Sequence, residues 1–428
     1  MNRTLQVFVL FSSAWAASTG FAQSIESATV DSNRQRIHGM LIGSMIGDAA
    51  GGPIEFKSND ELKRWLPDLR SWSAEEYRKS LRDGSLAEKF ELLPYKEIRG
   101  EIAPYGPWEK DAEVGTITDD TRHKMILFNC LRELRDGDIS GNKLTVPNLA
   151  KAYVEYGATH AKRQREDYEK LSDESFVEYI AVAKWILGER DLKAAKPPQR
   201  IWAGIANCSG QMAMLPVAAI YPGDPDSAYR ATYSLGFIDV GPAKDINSAL
   251  VAGLAKAIGS ETKDKAKRWE EVLDAMRDTD PYDYESVPFA RRPTTEWIEF
   301  ALKAADRANG KPGELYRILE KEGRPKYFWD AHFTFAVSIA CLKFAEFQPL
   351  EAMTVSLAFG HDTDSAAQVI GALVGAVDGH DIFPTTAREQ VAERLRVDYD
   401  ESADEWTSLL MDLSNRERFP NPVRFVEE

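Results

Sequence analysis

The sequence predicts an all-α protein, and three observations carry that expectation. Apolar residues recur at helical spacing through most of the 428 residues. Runs of alternating β-branched residues are few. No regular succession of strand and helix points to a parallel sheet. In order, the periodicity predicts helices over 36–50, 121–135, 148–160, 175–188, 246–258, 266–277, 295–308, 333–346, 350–358, 365–377, 386–396 and 403–413. Residues 57–112 change character, being rich in Trp, Tyr, Pro and charge, and read as an insertion packed on the helical body or a lid over it. Residues 279–294 read as a surface loop.

The N-terminus sets the compartment. Arg3, the apolar run Leu5 to Phe11, and the small-residue stretch ending Gly20-Phe21-Ala22 have the form of a secretory signal cleaved after Ala22. A buried N-terminal helix is the alternative, but the polar "QSIESATVDSNRQR" that follows fits it poorly. The expectation is therefore a signal peptide at 1–22, a mature domain at 23–428, and export to the periplasm or beyond. No later segment approaches the ~20 apolar residues a membrane helix needs, so no span is expected after signal removal. Three cysteines do not make a disulfide framework, and Cys130 and Cys341, inside apolar helical patterns, read as core thiols. A net charge of −15 argues against docking a nucleic-acid polymer. It favours a cation site, because clustered carboxylates need partners.

The first predicted helix, in "RIHGMLIGSMIGDAAGGPIEF", carries Gly39, Gly43, Gly47 and Gly51 at intervals of four. Each glycine costs a helix ~0.5–1 kcal/mol, so the stripe implies close approach of another backbone. Asp48 and Glu55 bracket the end of this segment, where the helix dipole disfavours carboxylates. That placement points to a compensating cation or hydrogen-bond partner.

Two later helices open on acidic clusters: Thr118-Asp119-Asp120 and Asp362, Asp364 and Ser365. One such cluster is ordinarily an N-cap with dipole-favoured acids. Two of the same composition point further. Hard divalent cations take oxygen ligands, and six oxygen-bearing side chains on two helix starts suffice for a pair of ions ~3.5–4 Å apart. His361 adjoins the second cluster and reads as a loop residue or surface contact, since imidazole suits Mg²⁺ poorly. No Ser–His–Asp order, zinc-type Cys/His spacing, Walker loop or dinucleotide glycine fingerprint is present.

Taken in order, "GSMIGDAAGGPIE", "TDDT", "SGQMAMLP" and "GHDTDSAAQVIGALVGA" resemble the ADP-ribosylglycohydrolase family, which includes the dinitrogenase reductase-activating glycohydrolases. The resemblance covers most of the mature chain. It implies a compact all-α domain with two Mg²⁺ or Mn²⁺ ions at the bottom of a cleft. Carried over residue by residue, it implies metal ligation by Thr118, Asp119, Asp120, Asp362, Asp364 and Ser365, the last usually Thr in relatives. It implies that Glu55 is the family's mobile acidic residue, acting with Asp119 and Asp120 in catalysis, and that Asp48 matches the aspartate of the GD motif. Asp48, Cys208, Ser209, Gly210, Gln211 and Asp239 fall at positions associated with substrate binding.

The substrate motifs depart from the pattern. Aligned on Met212 and Pro216, Cys208 stands where relatives commonly have Asn and Ala213 where they have Arg. Ile238 and Asp239 replace a usual Thr-His pair. The resemblance thus implies a metal-dependent glycosidase acting on a small-molecule glycoside or an ADP-ribosylated substrate. The altered contacts predict weakened affinity for a diphosphate and a less anionic glycoside as the preferred substrate. Two alternatives stand: a secreted carbohydrate or nucleoside as substrate, or a non-catalytic descendant that keeps the fold for binding or structure.

Overall fold

The fold is organised around two helices so close that no side chain fits between them. It is seen in a computed structural model that describes residues 30–99, 113–163 and 174–428. The predicted signal at 1–22 and part of the predicted insertion, 100–112, lie outside the described residues. The first helix runs over 30–51 and its partner is Thr363–Asp378. They lie antiparallel, with Gly39 against Gly375, Gly43 against Gly371, Gly47 against Ala367 and Gly51 against Asp364. A Cβ at Gly371 would fall on the carbonyl oxygen of Gly43, and one at Gly43 on that of Gly371. The glycine stripe is thus the imprint of backbone contact.

Three further helices, Pro242–Gly259, Ala331–Phe344 and Pro349–Phe359, are buried on nearly every face and complete the centre. Apolar residues all round a helix have this outcome. Amphipathic helices pack outside them, among them Lys265–Asp278, Pro293–Ala308 and Ala403–Leu413. On the last of these, Trp406 stacks on Phe128 of the helix Asp119–Asp136, with ring centroids 4.3 Å apart. Among the described residues the β pairing consists of isolated bridges, Leu144 with Val423 and Asn207 with Asp330. The all-α expectation holds. No helix among the described residues is long and apolar enough to cross a membrane.

Each predicted helix has a counterpart, and several helices were not predicted. Pro225–Leu235 and Pro312–Glu322 begin with proline in the first turn, a start signal that apolar periodicity alone does not register. Ala74–Asp83, inside the predicted insertion, opens on a capping box in which Ser73 accepts from the Glu76 N–H and Glu76 accepts from the Ser73 N–H. Over 57–99 the segment packs on the helical body. Tyr77 stacks on Phe344 and donates to its carbonyl, and Arg70 donates to the Phe359 carbonyl.

The irregular stretch 279–294 is tethered at its end by Arg292, which is buried. Its guanidinium bonds Asp245 at 2.9 Å and the carbonyls of Arg277 and Thr279. Asp245 also accepts from Tyr229 and from the Thr294 amide and hydroxyl.

Two stability outcomes follow. Gly371→Ala forces the central helices apart at backbone, so its thermal unfolding followed by circular dichroism should show a loss of about 1–3 kcal/mol or more. Gly253→Ala, which meets only the flexible Met276 side chain, should cost less. Arg292→Met leaves Asp245 buried without its cation and should cost about 3–5 kcal/mol in chemical denaturation.

Candidate metal centre

The antiparallel contact brings the C-terminal end of the first helix to the N-terminal end of Thr363–Asp378, and the helix Asp119–Asp136 starts at the same place. Asp48 makes the junction. Fully buried, it accepts from the amides of Thr118 (2.9 Å) and Thr121 (3.0 Å) and from the Thr121 hydroxyl. A carboxylate unfavourably placed at one helix C-terminus is therefore favourably placed at another's N-terminus, where free amides and the dipole attract it. Burial pushes its pKa up to about 6, against the pull of Lys124.

Capping accounts for only part of the two acidic clusters. Thr118 is a true cap, its hydroxyl accepting from the Asp120 amide. Asp362 occupies the N-cap position of its helix, yet its carboxylate caps nothing. Instead the carboxylates converge into two groups, Glu55 with Asp362 and Asp364, and Asp119 with Asp120 and Asp364. Within each group the ligand oxygens lie within 4.8 Å of one another, and Asp364 belongs to both. The Thr118 hydroxyl sits 3.2 Å from Asp364 and 3.4 Å from Asp120.

So many carboxyls cannot all ionise there without added positive charge. Burial first, and mutual repulsion second, push Asp119 up to about 7 and hold Glu55, Asp120 and Asp362 well above the usual carboxylate range. Among the described residues two side-chain cations touch the cluster. Lys124 donates to the Asp120 carbonyl at 2.9 Å and to Gln368, whose amide donates in turn to the Asp120 carboxylate. Arg99 donates to the Glu55 carbonyl and carboxylate. Six carboxylates (with Asp48) against these two cations leave a deficit of four charges. Arg122, farther off towards Asp119, relieves it only in part. The donors are nearly all oxygen, the set that suits hard divalent cations.

A cavity of about 250 Å³ opens over this floor. Glu55, Asp119, Asp120, Asp362 and Ser365 form its base, and Phe56, Tyr179, Trp202, Asn207, Cys208, Met212 and Trp329 its walls. The Cys208 thiol is buried 3.5 Å from Asp362 and 3.7 Å from Ser365. Two irregular segments are zipped together behind it, the Cys208 amide donating to the Trp329 carbonyl and the Ala331 amide to the Ala206 carbonyl.

The model of one family, ADP-ribosylglycohydrolase, matches residues 29–418. The chain belongs to the ADP-ribosylglycohydrolase family. Its fold is similar to that of a solved structure titled "ADP-ribosylglycohydrolase-related protein complex", with a TM-score of 0.50 and 16% identity over 91% of this chain and 99% of that one. No curated protein matches the chain.

Within this ADP-ribosylglycohydrolase fold, the six residues predicted as metal ligands come together. Asp119, Asp120, Asp362 and Ser365 line the cavity, while Thr118 and Asp364 bond directly beneath it. Glu55 and Cys208 also line it.

The other residues expected at substrate-binding positions, Asp48, Ser209, Gly210, Gln211 and Asp239, do not line this cavity. Asp48 is occupied by helix capping. Ser209 bonds Tyr179 and Asn207, and Gln211 donates to the Ala331 carbonyl. Asp239 accepts from the Gly210 amide and Asn247 at 3.0 and 2.9 Å, so it holds that turn rather than presenting an anion to substrate. Burial raises its pKa to about 7. Trp202 and Trp329 supply flat apolar faces to the cavity. His361 stacks on Phe328 and lies 3.4 Å from Glu320, away from the acidic floor.

Lys124 and Gln368 went unpredicted but were legible. Each stands four residues after a site aspartate, Asp120 and Asp364, and so on the same helix face. Arg99, Tyr179, Trp202 and Trp329 left no such signal.

Because Asp364 belongs to both carboxylate groups, Asp364→Asn should weaken Mn²⁺ binding at least roughly tenfold for every ion bound, measured by calorimetry. Asp119→Asn, in one group only, should leave part of the binding intact. Saturating Mg²⁺ at ~100 times Kd should stabilise the wild type by about 2.7 kcal/mol, and Asp364→Asn should lose most of that gain.

Proposed function

We propose that this chain is an exported, divalent-metal-dependent hydrolase that cleaves a glycosidic bond at a ribosyl or related sugar. The observation that carries the reading is the pair of carboxylate groups sharing Asp364 on the floor of a cavity, an excess of negative charge that hard divalent cations would offset. Thr118, Asp119, Asp120, Asp362, Asp364 and Ser365 would hold two Mg²⁺ or Mn²⁺ ions. Such ions supply Lewis acidity and a template for sugar hydroxyls.

The chain's own groups supply the rest. Burial beside Asp362 and Asp364 raises the pKa of Glu55, which suits a proton donor to the leaving atom. Arg99 grips one of its oxygens at 3.2 Å and aims the carboxyl at the cavity. As the bond from the anomeric carbon to the leaving atom breaks, the Glu55 proton passes to that atom. Water completes the exchange at the carbon and leaves Glu55 reprotonated. The aromatic walls exclude bulk water and hold the sugar ring.

One observation favours a substrate less anionic than ADP-ribose: among the described residues no Arg or Lys lines this cavity. A carbohydrate or nucleoside is the second reading on that ground. The signal expectation at 1–22 supports export, which N-terminal sequencing of the mature protein tests.

Turnover is tested with Mg²⁺ or Mn²⁺ on ADP-ribosylated protein and on a panel of neutral ribosides and oligosaccharides. Metal-dependent release of sugar from any of them supports the reading, and absence of turnover on all defeats it. Glu55→Gln should lower kcat by about 10²–10⁴-fold while Mn²⁺ binding at the Asp119, Asp120 and Asp364 group persists.

A further inference from the structure

A second cavity, of about 790 Å³, adjoins the first and shares two of its walls, Trp202 and Trp329. We propose that it is a leaving-group subsite for an uncharged ring with an apolar face. This rests on the glycosidase reading above.

Three features of the molecule define the occupant. The first is position. Phe56 follows Glu55 in the chain and meets Trp329 edge-on, with centroids 5.9 Å apart and planes at 80°. Glu55 and Phe56 both line the first cavity, and Phe56 lies against Trp329, a wall that the two cavities share. A leaving group on the Phe56 side of the first cavity therefore meets the wall of this groove.

The second is shape. Tyr327 stacks on Trp329 with centroids 4.9 Å apart and planes at 19°, which makes a broad, stiff aromatic surface. Trp202 stands across from it in a left-handed run, with φ of 45° at Trp202, 57° at Ala203 and 82° at Gly204. Two non-glycine residues in that region are held there by their surroundings. The Trp202 amide donates to Glu178 at 3.2 Å, and Glu178 is ion-paired to Lys196. The indole packs edge-on against Tyr179 at 5.9 Å and lines both cavities. Flat aromatic walls of this kind pack against ring faces.

The third is charge. Glu178 and Lys196 neutralise one another, which among the described residues leaves Arg200, exposed at the rim, as the groove's unpaired cation. A diphosphate is ordinarily taken by several converging donors. One rim arginine, beside a metal cavity with none, suits an uncharged group better. A sugar ring and an aryl ring share the required chemistry, and the experiment separates them.

The full chain is titrated calorimetrically with four probes: methyl β-riboside, phenyl β-riboside, a ribosyl-glucose disaccharide and ADP-ribose. At least one of the two ring aglycones should bind roughly tenfold tighter than the methyl riboside, and the tighter of the two identifies the ring. Trp329→Ala should remove that advantage, and Trp329→Phe, which keeps a ring and guards against misfolding, should retain most of it. Equal binding of the methyl and ring-bearing ribosides overturns the proposal. So does ADP-ribose binding tighter than both ring aglycones and weakened by Arg200→Ala. Trp329-dependent binding without cleavage in Mg²⁺ or Mn²⁺ supports the subsite and defeats the hydrolase reading. Cleavage of methyl and phenyl ribosides with equal kcat/KM, untouched by Trp329→Ala, does the reverse.

Discussion

Everything at the acidic floor depends on one contact, the antiparallel packing of helix 30–51 on Thr363–Asp378 through facing glycines. Backbone-to-backbone approach leaves little freedom in register, since carbonyls and Cα atoms interlock without side chains to adapt. That register sets Gly51 against Asp364 and so brings the chain leading to Glu55 alongside Asp362 and Asp364. Asp48, on the same helix, then reaches out to cap the helix carrying Asp119 and Asp120. Three chain segments widely separated in sequence are joined by one glycine seam and one buried carboxylate.

That arrangement concentrates negative charge where burial makes it costly. The fold tolerates it by fixing each group with polar partners rather than by exposing it to water. Lys124 and Gln368 hold Asp120 from below, Arg99 holds Glu55 from the side, and amides take both oxygens of Asp48. Carboxylates held this rigidly remain short of positive charge, which is the property a divalent-cation site requires. A site for its own stability would not place Asp364 in two groups at once.

The substrate side is built differently. Its walls are irregular segments, 202–208 and 327–331, zipped by backbone bonds and carrying aromatic rings over the acidic floor. Function-bearing loops on a rigid helical base are a common division of labour. Here it separates an acidic floor from aromatic walls.

The sequence by itself determined the helical class, the glycine seam and the six oxygen-bearing ligand candidates. Each of these leaves a local trace: period 3.6, a four-residue stripe, or a polar cluster at a helix start. Lys124 and Gln368 left such a trace too, on the faces of their aspartates. Tertiary structure alone decided that Asp48 caps a distant helix and that Asp239 and Ser209 do not line the cavity. It also decided that Trp202 and Trp329 face the cavity. Those outcomes depend on which surfaces of irregular segments meet. Side chains without periodicity carry no sign of their direction until long-range contacts orient them.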